Sequence, residues 1–192
     1  MYVTDDSITT KFNTMSNKKL GAWIRAELKK VGITSRMVSV RVSDSGYSTS
    51  VNCYIKDLSV DFKIVEKIAH SVEYVRYDPH AQEILSGCNI YVHVQYDWEI
   101  MRDAKNAVCE SVKAEMDKIN DNNSHKICVA DDGKDVWIIP CKHEDNEGHV
   151  WFTYNVGKMN DSCDRQFNSW ESFVDYMVGV RAIEKAKGSK RA

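Results

Sequence analysis

The stretch VSVRVSDSGYSTSVNCYI, residues 38–55, alternates apolar and polar side chains on both sides of a polar turn. Its apolar positions fall on one side of each strand: Val38, Val40, Val42, Val51, Cys53 and Ile55. Because successive side chains of a strand point to opposite faces, the pattern predicts a β-hairpin with one apolar and one polar face. The polar face carries Arg41 and Tyr54, where inert side chains would be sufficient.

Two amphipathic helices are predicted beside this hairpin, since each segment repeats its apolar residues at helical spacing. The first starts at a Ser16 or Asn17 cap and ends at Gly32. The second runs from a Ser59 cap to about Tyr74. After an irregular connection, NIYVHVQYDW predicts a third strand with one apolar side: Ile90, Val92, Val94, Tyr96 and Trp98.

The second half predicts a long amphipathic helix over 99–120, then the segments KICVA, VWIIP and HVWFTYNV as three strands, and a closing helix capped by Ser169. The expected fold class is α+β, with an α-β-β-α-β unit, a long connecting helix, and a three-stranded antiparallel sheet followed by a C-terminal helix. The expected domains are 1–98, a connecting helix and linker over 99–123, and 124–192 with a basic tail.

The order of these first-half segments resembles a known family. The helix ending in ELKK, the hairpin, the helix VDFKIVEKIAHSVE and the segment VRYDPHAQEILSGCNIYVHVQYD are similar to the large polyvalent protein-associated domains, over about residues 16–98. These are small α+β modules of phages and conjugative elements. The resemblance implies a mobile-element setting, in which a short stand-alone module fits an accessory or anti-defence protein, such as an anti-CRISPR inhibitor. It implies no catalytic residue.

Composition excludes some classes of protein. The chain has 192 residues and a net charge of −2, which matches neither a strongly basic nucleic-acid binder nor a strongly acidic DNA mimic. The polar start lacks the apolar core of a signal peptide, and no apolar run is long enough to span a membrane. We therefore expect a cytoplasmic protein, in a bacterial host, with six reduced cysteines.

The sequence indicates no enzyme. It has no GxSxG, Walker-type glycine loop, HExxH or dinucleotide fingerprint. A zinc ion could accept Cys141, His143, His149 and Cys163, but the paired short ligand spacings of structural zinc sites are missing. We predict no metal, no cofactor and no catalytic residue, and an enzyme without a recognisable motif remains an alternative.

The polar side of the first sheet is the first candidate binding surface. Alternation places on it Ser39, Arg41, Asn52, Tyr54, Tyr91, His93 and Gln95, and the nearby turn adds Tyr47. Tyrosines and an arginine suit a protein interface, and they also suit stacking of unpaired bases. A third reading is that the long helix or the second unit covers this face. The few nearby cations, Arg36, Lys56 and Arg76, favour a protein over nucleic acid.

A second candidate surface combines Trp151 with the acidic loop residues Glu144, Asp145 and Glu147. An aromatic side chain with an acidic rim could dock on a basic surface of a host protein. The alternative is that this tryptophan belongs to the core.

From these observations we predict a phage or mobile-element accessory protein that binds and inhibits a host defence protein, which could itself bind nucleic acid. No membrane partner is expected, and the oligomeric state is left open. The alternative is a nucleic-acid-binding module that uses the first sheet face.

Overall fold

The structure is a computed structural model that describes residues 2–3, 12, 14–78, 80–85, 87–121, 123–129, 135–157 and 163–188. Helices and several sheets share the chain, which confirms the α+β class. The chain divides into two compact units, Met1–Arg102 together with Ala186–Ala192, and Asp103–Lys185. Among the described helices, none is both long and apolar enough to cross a membrane.

The first unit is built on the predicted hairpin. Its elements are β1 (Tyr2–Val3), α1 (Asn17–Lys30), β2 (Val38–Asp44), β3 (Ser48–Ile55), α2 (Phe62–His70), β4 (Val75–Asp78), β5 (Glu83–Ile84), β6 (Asn89–Tyr96) and the start of α3 (Trp98–Asn106). The main sheet has the order β2-β3-β6, in which β2 and β3 are antiparallel and β3 and β6 are parallel. A parallel pair needs a crossover, and α2 lies in that connection.

Both α1 and α2 pack against the apolar face of this sheet. The buried cluster joins Leu20, Ile24 and Leu28 of α1 and Val65 and Ala69 of α2 to the apolar strand positions. The predicted glycine stop of the first helix is confirmed, because the residue after its C-cap has a φ of +81°, a conformation that glycine adopts without strain.

The second helix is shorter than predicted. Asp61, not Ser59, is its N-cap, and the Asp61 carboxylate accepts a hydrogen bond from the Lys63 amide at 2.9 Å. The Ser59 hydroxyl instead donates to Asp57 at 2.6 Å. The helix ends at His70 because the following residues turn towards β4.

The predicted irregular connection after α2 contains two short strands, β4 and β5, which pair with each other. A buried amide side chain ties this hairpin to the main sheet. Asn89 is 3% exposed, its Oδ1 accepts from the Arg76 amide at 2.9 Å, and its Nδ2 donates to the Leu85 carbonyl at 2.8 Å. Buried polar groups need such partners, so Asn89 is a structural residue.

The prediction of one continuous helix over 99–120 is wrong. The chain forms α3 (Trp98–Asn106) and then α4 (Cys109–Asp117). Val108 lies between them with φ −124° and ψ −9°, outside helical geometry. The buried stripe starts at Val108 and continues through Val112 and Met116, so the break turns these side chains towards the core of the second unit.

The second unit contains a four-stranded antiparallel sheet rather than the predicted three strands. Its further elements are β7 (His125–Val129), β8 (Asp135–Glu144), β9 (Val150–Gly157), β10 (Cys163–Phe167) and α5 (Trp170–Gly188), with strand order β10-β9-β8-β7. Ser169 caps α5 as predicted, since its hydroxyl accepts from the Ser172 amide at 3.2 Å. Phe173 and Met177 of α5 pack with Ile138, Tyr154 and Val156 of the sheet.

Two cysteines of the first unit should differ sharply in reactivity. Cys53 is fully buried, and this burial raises the pKa of its thiol to about 11, whereas Cys88 is exposed. Since the thiolate is the nucleophile, we expect a maleimide at about pH 8 to modify Cys88 in the native protein and Cys53 only after unfolding in urea. Peptide mapping by mass spectrometry reads both sites. Equal labelling of the two in the native protein would contradict the burial of Cys53.

Candidate functional site

The polar side of the main sheet presents three rows of side chains that run across the strands. Each row has one side chain from β2, one from β3 and one from β6. The rows are Ser43, Ser50 and Tyr91, then Arg41, Asn52 and His93, then Ser39, Tyr54 and Gln95. We call these nine residues the polar face. The structure therefore brings together the seven side chains that strand alternation predicted for this face, and adds two serines.

The polar face is partly open. Arg41, His93 and Gln95 are exposed, whereas Tyr54 and Tyr91 are half-buried. Since α1 and α2 both pack on the opposite side of the sheet, the polar side is not needed to bury the core of this unit.

Contacts between neighbours fix several of these side chains. The Arg41 guanidinium lies over the Tyr54 ring, 5.4 Å from its centroid. Asn52 donates to the Ser50 hydroxyl at 3.2 Å, and the Tyr91 hydroxyl accepts from Asn89 at 3.4 Å. A cation over an aromatic ring keeps both groups in one arrangement, which lowers the entropy lost when a partner binds.

Tyr47 does not belong to this group. It lies in the turn between β2 and β3 and is 76% exposed. Asp44 accepts from the Gly46 amide at 2.7 Å, and Gly46 has a φ of +84°, so the turn depends on these two residues. Tyr47 instead lines a separate open cavity of about 540 Å³ with the start of α1.

An open cleft of about 390 Å³ lies at the end of the polar face, where β3 and β6 finish. Its lining combines residues of the polar face with the residues that follow the two strands: Ser39, Arg41, Tyr54, Lys56, Asp97, Trp98 and Glu99. We call it the end cleft. Lys56 and Asp97 continue the polar alternation of β3 and β6, so the cleft is an extension of the same surface.

Trp98 forms an exposed wall of the end cleft, and the sequence prediction placed it wrongly on the apolar side of the third strand. The strand ends at Tyr96, and Asp97 accepts from the amides of Glu99 at 3.2 Å and Ile100 at 3.5 Å, which starts α3. Trp98 is consequently 70% exposed. The capping aspartate with an acidic residue two positions later was the signal that could have indicated a helix start.

Both signs of charge meet in the end cleft. Arg41 and Lys56 are exposed, and within the described part of the chain neither has a carboxylate partner. Asp97 is used as the cap of α3, whereas Glu99 is exposed. Near the outer edge, the Arg102 guanidinium lies 4.9 Å from the centroid of the Trp98 ring. The arrangement can hold a side chain by stacking and by charge.

The second predicted surface is built differently. Trp151 is 47% exposed and stacks on His143, with ring centroids 5.5 Å apart and planes 16° apart. Glu144 pairs with Lys142 at 3.4 Å, and Glu147 is exposed. The tryptophan and the two glutamates thus lie at the exposed β8–β9 end of the sheet.

Asp145 has a structural role in this loop. Its Oδ1 accepts from the amides of Glu147 and His149, both at 2.9 Å, and its Oδ2 lies 2.9 Å from the His149 ring. The hydrogen bonds from the His149 backbone, and then from its ring, lower the pKa of the Asp145 carboxyl. The carboxylate of Asp145 therefore holds the turn together and is less available to a partner.

A polar network lies on the same side of this sheet. The His143 ring and the Gln166 amide both contact the Thr153 hydroxyl, at 2.8 and 3.2 Å. Asn155 donates to the Cys141 sulfur at 3.1 Å, and its Oδ1 is buried without a partner among the described groups. Each side chain is bonded within the sheet, as in a structural network.

The four residues considered for zinc are not all described, because the side chain of Cys163 lies outside the described set. His143 contacts a threonine hydroxyl, and His149 contacts Asp145. Among the side chains that the structure describes, no three His, Cys, Asp or Glu residues lie close enough to hold a metal ion.

Comparisons with known proteins found no matching family model, no matching curated protein and no matching solved structure. The likeness of residues 16–98 to the polyvalent protein-associated domains therefore stays a prediction from the sequence.

Proposed function

We propose that this protein acts by binding another protein through the polar face and the end cleft of its first unit, without enzymatic activity. The observation that carries the proposal is the concentration of arginine and aromatic side chains on the polar face and at the adjoining start of α3. Arg41 lies on Tyr54, and Arg102 lies on the exposed Trp98. Tryptophan, tyrosine and arginine are the residues that most often dominate the energy of protein interfaces.

Charge favours a protein partner over nucleic acid. The end cleft is lined by the cations Arg41 and Lys56 and also by the carboxylates Asp97 and Glu99. A nucleic-acid backbone repeats negative charge along its length, and binding it requires several unopposed cations. Tyr54, Tyr91 and His93 do suit base stacking, so single-stranded nucleic acid remains the second candidate.

We extend the proposal to the biological setting: an accessory protein of a phage or mobile element that blocks a host defence protein in the bacterial cytoplasm. Support for this part comes from the sequence resemblance alone. The geometry is compatible with it, because blocking a partner requires an accessible anchor surface and no catalytic group.

The test is capture of partners from host lysate with the tagged full chain and its variants. We expect Trp98→Ala to weaken binding of a stoichiometric partner by roughly 30-fold or more, the effect of losing an anchor worth about 2 kcal/mol. Tyr54→Ala should also weaken binding, because it removes the ring under Arg41. Affinities of the purified partner are then measured by calorimetry.

Tyr47→Ala is the matched control. It also removes an aromatic side chain, which is 76% exposed and lies outside the polar face. It should bind as the wild type does. If Tyr47→Ala lost binding while Trp98→Ala and Tyr54→Ala kept it, the proposed surface would be wrong.

A further inference from the structure

The residues that line the end cleft indicate which kind of side chain of the partner the cleft binds. We propose that it binds an acidic side chain of the partner, with the carboxylate held between Arg41 and Lys56 and the adjoining apolar atoms placed against Tyr54 and Trp98. This inference rests on the proposed function and specifies the chemistry of the partner at that surface.

The two cations are available for this role. Arg41 and Lys56 are exposed and lack a carboxylate partner within the described residues, whereas other cations of the chain, such as Lys30 and Arg181, are paired at 2.7 Å with Glu27 and Glu115. A guanidinium that stacks on a ring through its face keeps its N–H donors free at its edge. Arg41 can therefore donate to a carboxylate while it remains on Tyr54.

The two carboxylates of the end cleft differ in how far they are free to interact with a bound side chain. Asp97 accepts hydrogen bonds from two amides at the start of α3, and its charge also faces the positive end of the helix dipole. Its ability to oppose an incoming carboxylate is thereby reduced. Glu99 is exposed and, within the described residues, has no cation partner. A carboxylate guest should be repelled by Glu99, and a cationic guest should be attracted by it.

The shape of the site suits a side chain better than a polymer backbone. The end cleft has a volume of about 390 Å³, two aromatic walls and two cations on the strand side. Carboxylates near those cations would repel the successive phosphates of a nucleic acid strand. A single carboxylate with an apolar neighbour can use the cations and both rings at once.

The probes are three capped dipeptides, acetyl-Phe-Glu-amide, acetyl-Phe-Gln-amide and acetyl-Phe-Lys-amide, together with oligothymidylate. Each is titrated into the ¹⁵N-labelled full chain, and the indole N–H signal of Trp98 reports binding in the end cleft. We expect a saturable shift with the glutamate peptide, at the lowest dissociation constant of the four probes. Tightest binding of the lysine peptide or of oligothymidylate would overturn the proposal, and so would the absence of a saturable shift with every probe.

Two variants that each remove one charge test whether the cleft binds a negatively charged side chain. Lys56→Gln should raise the dissociation constant of the glutamate peptide by about two- to fivefold, the usual size of one exposed charge pair. Glu99→Gln should lower it by a similar factor of about two to five, because a repelling charge is removed. The opposite pair of shifts would contradict the placement of the carboxylate between Arg41 and Lys56. Neither residue contributes to the buried core, so both variants should fold.

The outcomes separate this inference from the proposed function. If partner capture depends on Trp98 and Tyr54 but the glutamate peptide binds no better than its glutamine analogue, the acidic guest is wrong and the protein interface stands. If capture is insensitive to Trp98 and Tyr54, the proposed interface fails, whatever the peptides show.

Discussion

Phe173→Ala is expected to lower the free energy of unfolding of the second unit by about 3–5 kcal/mol, the largest effect of any substitution considered. Phe173 is fully buried, and its ring centroid lies 5.2 Å from that of Trp170, 5.8 Å from that of Phe167 and 6.5 Å from that of Tyr154. Two of these rings are held by strands and the third by the start of α5. They cannot close fully around the cavity left by the phenyl group.

Urea unfolding followed by circular dichroism measures this loss, and hydrogen exchange of the β9 amides assigns it to the second unit. Phe173→Leu keeps much of the volume and should cost less than about 1.5 kcal/mol. Val150→Ala, at a position 48% exposed, should stay within about 0.5 kcal/mol. Equal losses for Phe173→Ala and Phe173→Leu would show that the pocket collapses and that the aromatic cluster is not tightly packed.

The hairpin was predictable because its signal is local. Alternation over residues 38–55 specifies both faces, and the observed pairing of Val40 with Cys53 and of Arg41 with Asn52 agrees with those faces. The parallel pairing of β6 with β3 was not predictable in the same way. Alternation identifies the apolar side of a strand but carries no information about its neighbours.

The errors concern ends and breaks of helices. Apolar spacing continues from Ile100 to Met116, yet its members are not equally buried: Ile100 is 40% exposed, whereas Val112 and Met116 are buried in the second unit. Periodicity alone cannot show that the chain turns at Val108. The strand β10 was missed because, among its described side chains, Phe167 alone packs on the core.

The candidate site was half predictable for the same reason. Arg41, Tyr54, Tyr91 and His93 lie on strands, and the alternation of side chains along each strand placed them correctly on one face. Trp98 lies where a strand passes into a helix, and there the period of the pattern changes from two to 3.6 residues. The predicted strand continued for two residues beyond its true end. It therefore placed the exposed Trp98 on the core side of the sheet.

Asn89→Leu is expected to lower the free energy of unfolding of the first unit by about 2–4 kcal/mol, because it removes the Asn89 hydrogen bonds of two part-buried backbone groups. Asn89 is 3% exposed, and it is bonded to the Arg76 amide and the Leu85 carbonyl. Leucine is nearly the same size but can satisfy neither group, so the substitution isolates the hydrogen-bonding role. Urea unfolding measures the change.

Asn52→Leu is the matched control on the neighbouring strand β3. Asn52 is only half-buried and donates one hydrogen bond, to the Ser50 hydroxyl at 3.2 Å, so its replacement should cost less than about 1 kcal/mol. Asn89 links the β4–β5 hairpin to β6, beside the backbone hydrogen bonds between Tyr74 and Ile90. Amides of β4 should consequently exchange with solvent faster in Asn89→Leu than in Asn52→Leu. Equal exchange in the two variants would mean that other contacts hold the hairpin, and that the buried amide adds little to its stability.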